Sequence, residues 1–426
     1  MARNVAKHKT TRREFLAQSG LAAGTAFAAP YFLTSGALAA PGRPGANDRI
    51  RMGHIGVNWM GGDHIKMMNN DPRSPSVAVC DVDERHIAKA LEYIRPKPKT
   101  YRDFRDLLDS NDVDAVLIAV PDHWHALICV YACQAGKDVY CEKPLSLTVR
   151  EGRAMVDAAR RYARVVQTGS QQRAENNFRY ACELVRSGCI GKVNTVRVNV
   201  WGTSNDCDLP TEPTPPELDW NMWLGPAPKR GFNGKIHPVN WRGFREYSGG
   251  TMTDWGAHHL DIARWGLGLD HTHPVEIHPP CKDHKGLRYV FANGVTVLCG
   301  HVDANGIRFM GTDGQVEVNR GHLQTWPDAV GKTPLGPSDV HLRRPVAGGA
   351  QAWRGNQLDF LASVKSRQRP LCDVEIGYKT IAMCHLGNIA LWLNRSLKFD
   401  PETETFVGDP EANRWLSRPM RAPWHL

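Results

Sequence analysis

The sequence contains no Cys-x-x-Cys pair, no internal repeat and, beyond its first forty residues, no basic tract. Its eleven cysteines are odd in number and irregular in spacing (Cys80, Cys129, Cys133, Cys141, Cys182, Cys189, Cys207, Cys281, Cys299, Cys372 and Cys384). Neither a disulfide framework nor a zinc site is signalled, and several fall in predicted strands or helices, where free Cys acts as a small apolar residue. The net charge of +9 is partly local: residues 1–39 hold five of the 53 Lys/Arg and one of the 44 acids. The remainder carries 48 basic against 43 acidic side chains spread along the chain, which argues against a nucleic-acid partner. At 426 residues the chain exceeds one compact core, so two domains are expected. Thirteen tryptophans are many, and suggest aromatic-lined clefts.

Thr11-Arg12-Arg13-Glu14-Phe15-Leu16 precedes a weakly apolar Ala/Gly-rich stretch from Leu21 to Leu38, and Ala37-Leu38-Ala39 fits a small-residue cleavage site. The order resembles a twin-arginine export signal over residues 1–39, an address read by the export machinery and not a membrane span. It implies a periplasmic or otherwise exported protein, delivered folded, with thiols free to accumulate unpaired. Residues 40–48 read as a Pro/Gly linker.

From residue 49 to 170 short apolar runs alternate with helical patterns. Ile50–Val57, Ser76–Asp81, Asp114–Val120, Val139–Cys141 and Val165–Thr168 read as strands. Helices are expected at Trp59–Asn70, from Glu84, at Ala126–Ala135 and at Thr148–Tyr162. This is the pattern of a doubly wound parallel sheet, a Rossmann α/β domain. Between the first strand and helix lies Gly56-Val57-Asn58-Trp59-Met60-Gly61, a phosphate-loop pattern whose second glycine is replaced by Asn58. Asn tolerates unusual φ, and the helix start can supply N–H groups to a pyrophosphate. Asp81, closing the second strand, can take an adenosine ribose hydroxyl and would repel a 2′-phosphate, which favours NAD over NADP. Asp83 is left to cap the helix from Glu84. Pro121 and His125 follow the third of these strands, where His125 can lie beside a nicotinamide ribose or act as a helix cap.

Gly136-Lys137-Asp138-Val139-Tyr140-Cys141-Glu142-Lys143-Pro144 ends a buried strand on a carboxylate and a lysine. Ligands of open α/β sheets bind beyond the carboxyl ends of the strands, so Glu142 and Lys143 face a cleft. A desolvated lysine there can exchange a proton with a substrate hydroxyl; a surface ion pair is the alternative.

Residues 171–395 change rhythm. A helix at Asn177–Ser187 leads into a strand within Lys192–Trp201, then long loops follow; Arg173, ahead of the helix, and His237, Trp241 and Arg242, in the loops, are candidates for a substrate wall. Tyr289–His301 reads as a hairpin turning at Asn293-Gly294, and Gly306–Met310 with Gln315–Val318 adds strands, giving a largely antiparallel sheet. Leu358–Ser366 and Ile376–Asn394 read as closing helices, and 396–426 as an extension. In Asp254-Trp255-Gly256-Ala257-His258-His259-Leu260-Asp261, a continuous helix would place Asp254 and His258 on one face, with His259 adjacent. A carboxylate so placed orients an imidazole for acid–base work. A metal held by His258, His259 and Asp261 is the less favoured alternative, because adjacent helical residues diverge by about 100°; no metal is expected.

Asp114–Val120, Pro121 with His125, Ala135-Gly136-Lys137, Cys141-Glu142-Lys143-Pro144 and Asp254-x-Gly256-x-His258 together resemble the glucose–fructose oxidoreductase and inositol dehydrogenase family, Gfo/Idh/MocA. The resemblance runs in order from about Ile50 to the C-terminal helices. It implies a Rossmann domain followed by a C-terminal α/β domain whose open sheet makes homo-oligomer contacts. It also implies an NAD(P)-dependent oxidoreductase acting on a sugar or polyol hydroxyl, with Lys143 as acid/base and Asp254 and His258 completing the site. An exported enzyme meets little free NAD, so a tightly bound cofactor is expected. Relatives also use NAD transiently to cleave glycosidic bonds. The exported galactosaminidase type usually lacks the lysine, so Glu142-Lys143-Pro144 argues against that branch. Two other readings stay open: a redox-assisted glycosidase or lyase, and a non-catalytic sugar-binding protein retaining the fold.

Overall fold

The computed structural model describes residues 38–40, 44–345 and 352–426 and divides after Arg49 into two units, the larger being Ile50–Leu426. The twin-arginine stretch lies outside the described residues. Among the described residues, no helix is long and apolar enough to cross a membrane.

The larger unit is built on two sheets. The first contains β1 (Met52–Ile55), β2 (Ser76–Cys80), β3 (Lys99–Tyr101), β4 (Ala115–Ile118), β5 (Asp138–Cys141) and β6 (Val166–Thr168). All pair in parallel in the order β3-β2-β1-β4-β5-β6, so the order reverses between β1 and β4 and opens a crevice at their carboxyl ends. The apolar runs exist because helices cover both faces: every residue of β1, β4 and β5 is buried. The predicted strands stand, four of them trimmed and β5 begun one residue earlier, at Asp138. Edge strand β3 escapes sequence detection because Lys99 and Thr100 are exposed and carry no apolar pattern.

The helices of this half are α1 (Met60–Asn69), α2 (Glu84–Ala90), α3 (Phe104–Leu108), α4 (Asp122–Gln134) and α5 (Val149–Arg161). Asp83 caps α2 by accepting the Arg85 N–H, and Thr148 with Glu151 forms a reciprocal capping box on α5. Helix α4 begins at Asp122, four residues before the expected Ala126. Pro121 sits at its cap and Asp122 complements the positive helix end, so the whole Asp-His-Trp-His run folds into the first turn.

The second sheet holds β7 (Val193–Val198), β8 (Glu276–His278), β9 (Leu287–Val290), β10 (Thr296–Cys299), β11 (Ile307–Gly311), β12 (Gln315–Asn319), β13 (His322–Trp326), β14 (Leu397–Asp400) and β15 (Thr405–Phe406). Its order is β13-β12-β11-β7-β10-β9-β8-β14-β15, antiparallel except where β7 runs beside β10. The β9–β10 hairpin turns at Asn293-Gly294 as expected. Gly294 takes φ +83°, and the Asn293 side chain accepts the Val295 N–H at 3.1 Å.

Two segments sit elsewhere than the sequence suggests. Residues 396–426 are no trailing extension, since Leu397 and Lys398 pair with Ile277 and Glu276 and carry the sheet outward. The helix expected at Leu358–Ser366 to close the second half runs from Ala352 to Ser366 and covers the first sheet: Phe360 and Leu361 pack with Ile50, Met52, Leu117 and Tyr140. Apolar matching decides both placements, and local sequence does not encode it.

Candidate active site

A cleft of about 1050 Å³ opens at the carboxyl ends of β1, β2, β4 and β5. Gly56, Asn58, Trp59, Met60, Asp81, Pro121, Glu142 and Lys143 line it, joined by His86, Arg102, Asp122, Trp124 and Trp223. The loop after β1 has the backbone of a dinucleotide cradle. Gly56 adopts φ +79°, and a Cβ there would stand 2.5 Å from the Ala119 carbonyl oxygen. A Cβ on Gly61 would stand 2.0 Å from the Gly56 oxygen, so only glycine lets α1 pack this closely on the loop. The left-handed residue between them is Trp59 (φ +39°); Asn58 is not among the positive-φ residues, so its substitution for glycine leaves the turn intact. Asp81 accepts the Val57 and Asp83 N–H groups at 3.0 Å each, which fixes its carboxylate at the cleft edge. This constellation fits a bound NAD.

Lys143 projects from the end of β5. Its Nζ donates to Asp254 Oδ1 at 2.5 Å, an ion pair whose side chains are 16 % and 25 % exposed. Behind it Glu142 is fixed by His64 Nε2 at 2.8 Å, and His64 Nδ1 meets Gln357 at 2.7 Å. A buried chain of polar groups thereby sets the strand end from which Lys143 emerges.

The continuous helix expected through Asp254 and His258 is broken. Thr251–Asp254 ends at Trp255, Gly256–Leu267 starts after it, and the His258 N–H bonds the Trp255 carbonyl instead of that of Asp254. Asp254 therefore does not orient His258; it holds Lys143. His258 and His259 are buried and flank the half-exposed Trp255, with ring centroids 6.0 and 5.6 Å away. Burial, then Lys143 and Arg320, pushes the His258 pKa well below its usual value, and burial takes His259 down to about 4. Both are neutral imidazoles at pH 7, suited to hydrogen bonding more than to holding a proton.

Several expected roles change. His125 does not line the cleft: it is buried with Nδ1 at 2.7 Å from the Pro144 carbonyl oxygen, and so steadies the turn after Lys143. Arg173 is no substrate-wall residue, being 1 % exposed, bonded to Asp261 and Asp270 and placed over Trp265. His237, Trp241 and Arg242 do line the cleft, on its dinucleotide side. His237 meets Asp83 at 3.3 Å, and Arg242 stacks over Trp241 and over Trp59 of the glycine loop, 4.2 and 4.9 Å from the ring centroids. Asp122 was not anticipated. Fully buried beside the cleft, it accepts the Ser248 hydroxyl at 2.6 Å, and burial raises its carboxyl pKa to about 7. Its position directly after Pro121 at the end of β4 was the available signal. His86 was also missed; it meets Asp81 at 3.3 Å.

Residues 50–170 match the family described as "Oxidoreductase family, NAD-binding Rossmann fold", and residues 183–330 with 347–426 match "Oxidoreductase family, C-terminal alpha/beta domain". A myo-inositol 2-dehydrogenase of Thermotoga maritima is 25 % identical over 365 residues, 82 % of this chain and 99 % of that protein. A glycosyl hydrolase family 109 protein of Shewanella pealeana is 29 % identical over 204 residues, 43 % of this chain and only 44 % of that protein's length. The aldose-aldose oxidoreductase of Caulobacter crescentus, solved with glycerol, superposes with a TM-score of 0.60 at 21 % identity, over 82 % of this chain and all of that one. With both halves matched in order around this cleft, the chain belongs to the Gfo/Idh/MocA oxidoreductase family, an NAD-binding Rossmann domain joined to a C-terminal α/β domain.

Proposed function

We propose that the protein oxidises or reduces a carbinol carbon of a sugar or polyol, with Lys143 as the group that exchanges the hydroxyl proton. The observation that carries this is the Lys143–Asp254 ion pair at the carboxyl end of β5, in the wall of the dinucleotide cleft. The nicotinamide, when bound, accepts or returns the hydride of that carbon. As the free amine, Lys143 Nζ takes the hydroxyl proton while the carbon is oxidised, becoming the ammonium, and returns that proton in the reverse direction. Asp254 balances and aims the ammonium. His258, neutral and buried, offers a ring nitrogen to a hydroxyl, and half-exposed Trp255, with Arg320 over one side of its ring, offers an aromatic edge to a sugar. Myo-inositol, glucose and levoglucosan, assayed with NAD, form the first substrate panel; no nicotinamide reduction with any sugar or polyol would remove the assignment.

The match to a glycosyl hydrolase family 109 protein favours one second reading, sugar release by transient oxidation. That reaction liberates an aglycone with no net change in reduced cofactor, so comparing the two yields separates the readings.

We also propose export by the twin-arginine route. Support comes from Arg12-Arg13 ahead of the Ala/Gly-rich stretch; eleven unpaired cysteines fit folding in a reducing compartment before export. Arg12→Lys with Arg13→Lys should retain the protein in the cytoplasm; unchanged export would refute it.

A further inference from the structure

No sequence signal pointed to these residues as metal ligands, yet the fold brings Asp83, His86 and His237 together at the edge of the cleft, their ligand atoms all within 4.8 Å of one another. Asp83 and His86 lie at the start of α2 beside the Rossmann sheet, whereas His237 arrives from the long loop region, 154 residues after Asp83. His237 Nε2 stands 3.3 Å, and His86 Nε2 3.9 Å, from the same oxygen, Asp83 Oδ2. Zinc bonds of about 2.0–2.2 Å in tetrahedral array set neighbouring ligand atoms roughly 3.3–3.6 Å apart, so small side-chain shifts complete the coordination.

The surroundings match what such ligands need. The far nitrogen of His86, Nδ1, meets Asp81 Oδ1 at 3.3 Å, the carboxylate–histidine arrangement that aims an imidazole at a metal and fixes its tautomer. His237 is 8 % exposed, and its Nδ1 is buried without a hydrogen-bond partner, which leaves Nε2 as its working atom. Asp83 is fully buried and held by capping α2, so its carboxylate is already oriented. One group opposes a cation: Arg85 donates to both Asp83 oxygens, at 2.9 and 2.6 Å. Arg85 is half exposed and can withdraw into solvent.

We propose that Asp83, His86 and His237 form a binding site for a divalent transition metal of the zinc class, which clasps the 237–242 segment to the β2 edge of the cleft. Two imidazoles and one carboxylate with an open position suit Zn²⁺ or Co²⁺ and disfavour Mg²⁺ and Ca²⁺, which prefer all-oxygen shells. Metal binding then stabilises the segment carrying Trp241 and Arg242 over the glycine loop, a consequence independent of substrate.

The test uses the full-length untagged protein, freed of metal by chelator. Zn²⁺ is titrated by calorimetry, and Co²⁺ by its visible absorption. One equivalent per chain should bind with micromolar or tighter affinity and raise the melting temperature. His86→Gln and His237→Gln should each weaken binding by more than about 100-fold, beyond the roughly 10–100-fold that loss of an outer-shell partner typically costs. Arg85→Ala should tighten it severalfold. Alkylation of the exposed Cys281 should leave it unchanged. Sub-stoichiometric binding, equal affinity in either histidine variant, or loss of binding on alkylation would overturn the proposal. Melting curves of the metal-free variants separate a lost ligand from a lost fold.

Discussion

If Asp254 acts through Lys143, the two residues must be energetically coupled, and a double-mutant cycle measures that coupling. Lys143→Met keeps the length and apolar stem of the side chain but removes the proton-exchanging amine. Loss of a positioned acid–base group costs about 10²–10⁴-fold in rate, roughly 2.7–5.4 kcal/mol of barrier. Asp254→Asn keeps the shape but removes the charge facing Nζ at 2.5 Å. Because the two side chains are 16 % and 25 % exposed, water screens the pair, and its coupling should be about 1–3 kcal/mol, or roughly 5–150-fold. In a Lys143→Met background, Asp254→Asn should then cost nothing further. The assay follows reduced cofactor with the best substrate of the panel. Quenching of tryptophan fluorescence reports nucleotide binding, which should stay within about threefold of wild type in all variants, under 0.7 kcal/mol. Multiplicative losses would show Asp254 working on substrate directly, and a Lys143→Met enzyme within about tenfold of wild type would refute the lysine's role.

Asp122→Asn tests the buried carboxyl. Its pKa of about 7 in the fold exceeds the roughly 3.9 of an unfolded chain, so the folded state holds the proton more firmly. Its stabilising contribution is complete below pH ~4 and is lost as pH rises toward 7. The variant's melting temperature relative to wild type should therefore climb between about pH 4 and 7 and level off above; a pH-independent difference contradicts the burial argument. Asp81→Ala should weaken NAD binding by about 10–100-fold, the worth of hydrogen bonds to a charged acceptor, and narrow the preference over NADP. Unchanged NAD affinity by calorimetry would move the ribose elsewhere. Arg173→Met leaves Asp261 and Asp270 without their cation and should cost about 3–5 kcal/mol in denaturant unfolding. A raised KM with unaltered stability would return Arg173 to the substrate wall.

Periodicity and turn chemistry made much of this protein readable in advance. The strands of the first sheet are apolar because helices bury both their faces. Gly56, Gly61 and Gly294 stand where backbone geometry or close packing demands them, and Asp81 and Lys143 stand where strands end. Each is a local consequence of residue type, so one sequence suffices to find it. The pairing of Asp254 with Lys143 across 111 residues, the burial of Arg173 between two aspartates and the swing of His237 to Asp83 had no local signal. A single interruption at Trp255 moved the acid from the histidine to the lysine, and apolar matching carried helix Ala352–Ser366 onto the first sheet. Local sequence thus determined which groups could do chemistry. Long-range packing decided which of them met, because charge pairing and desolvation depend on neighbours that only the folded chain supplies.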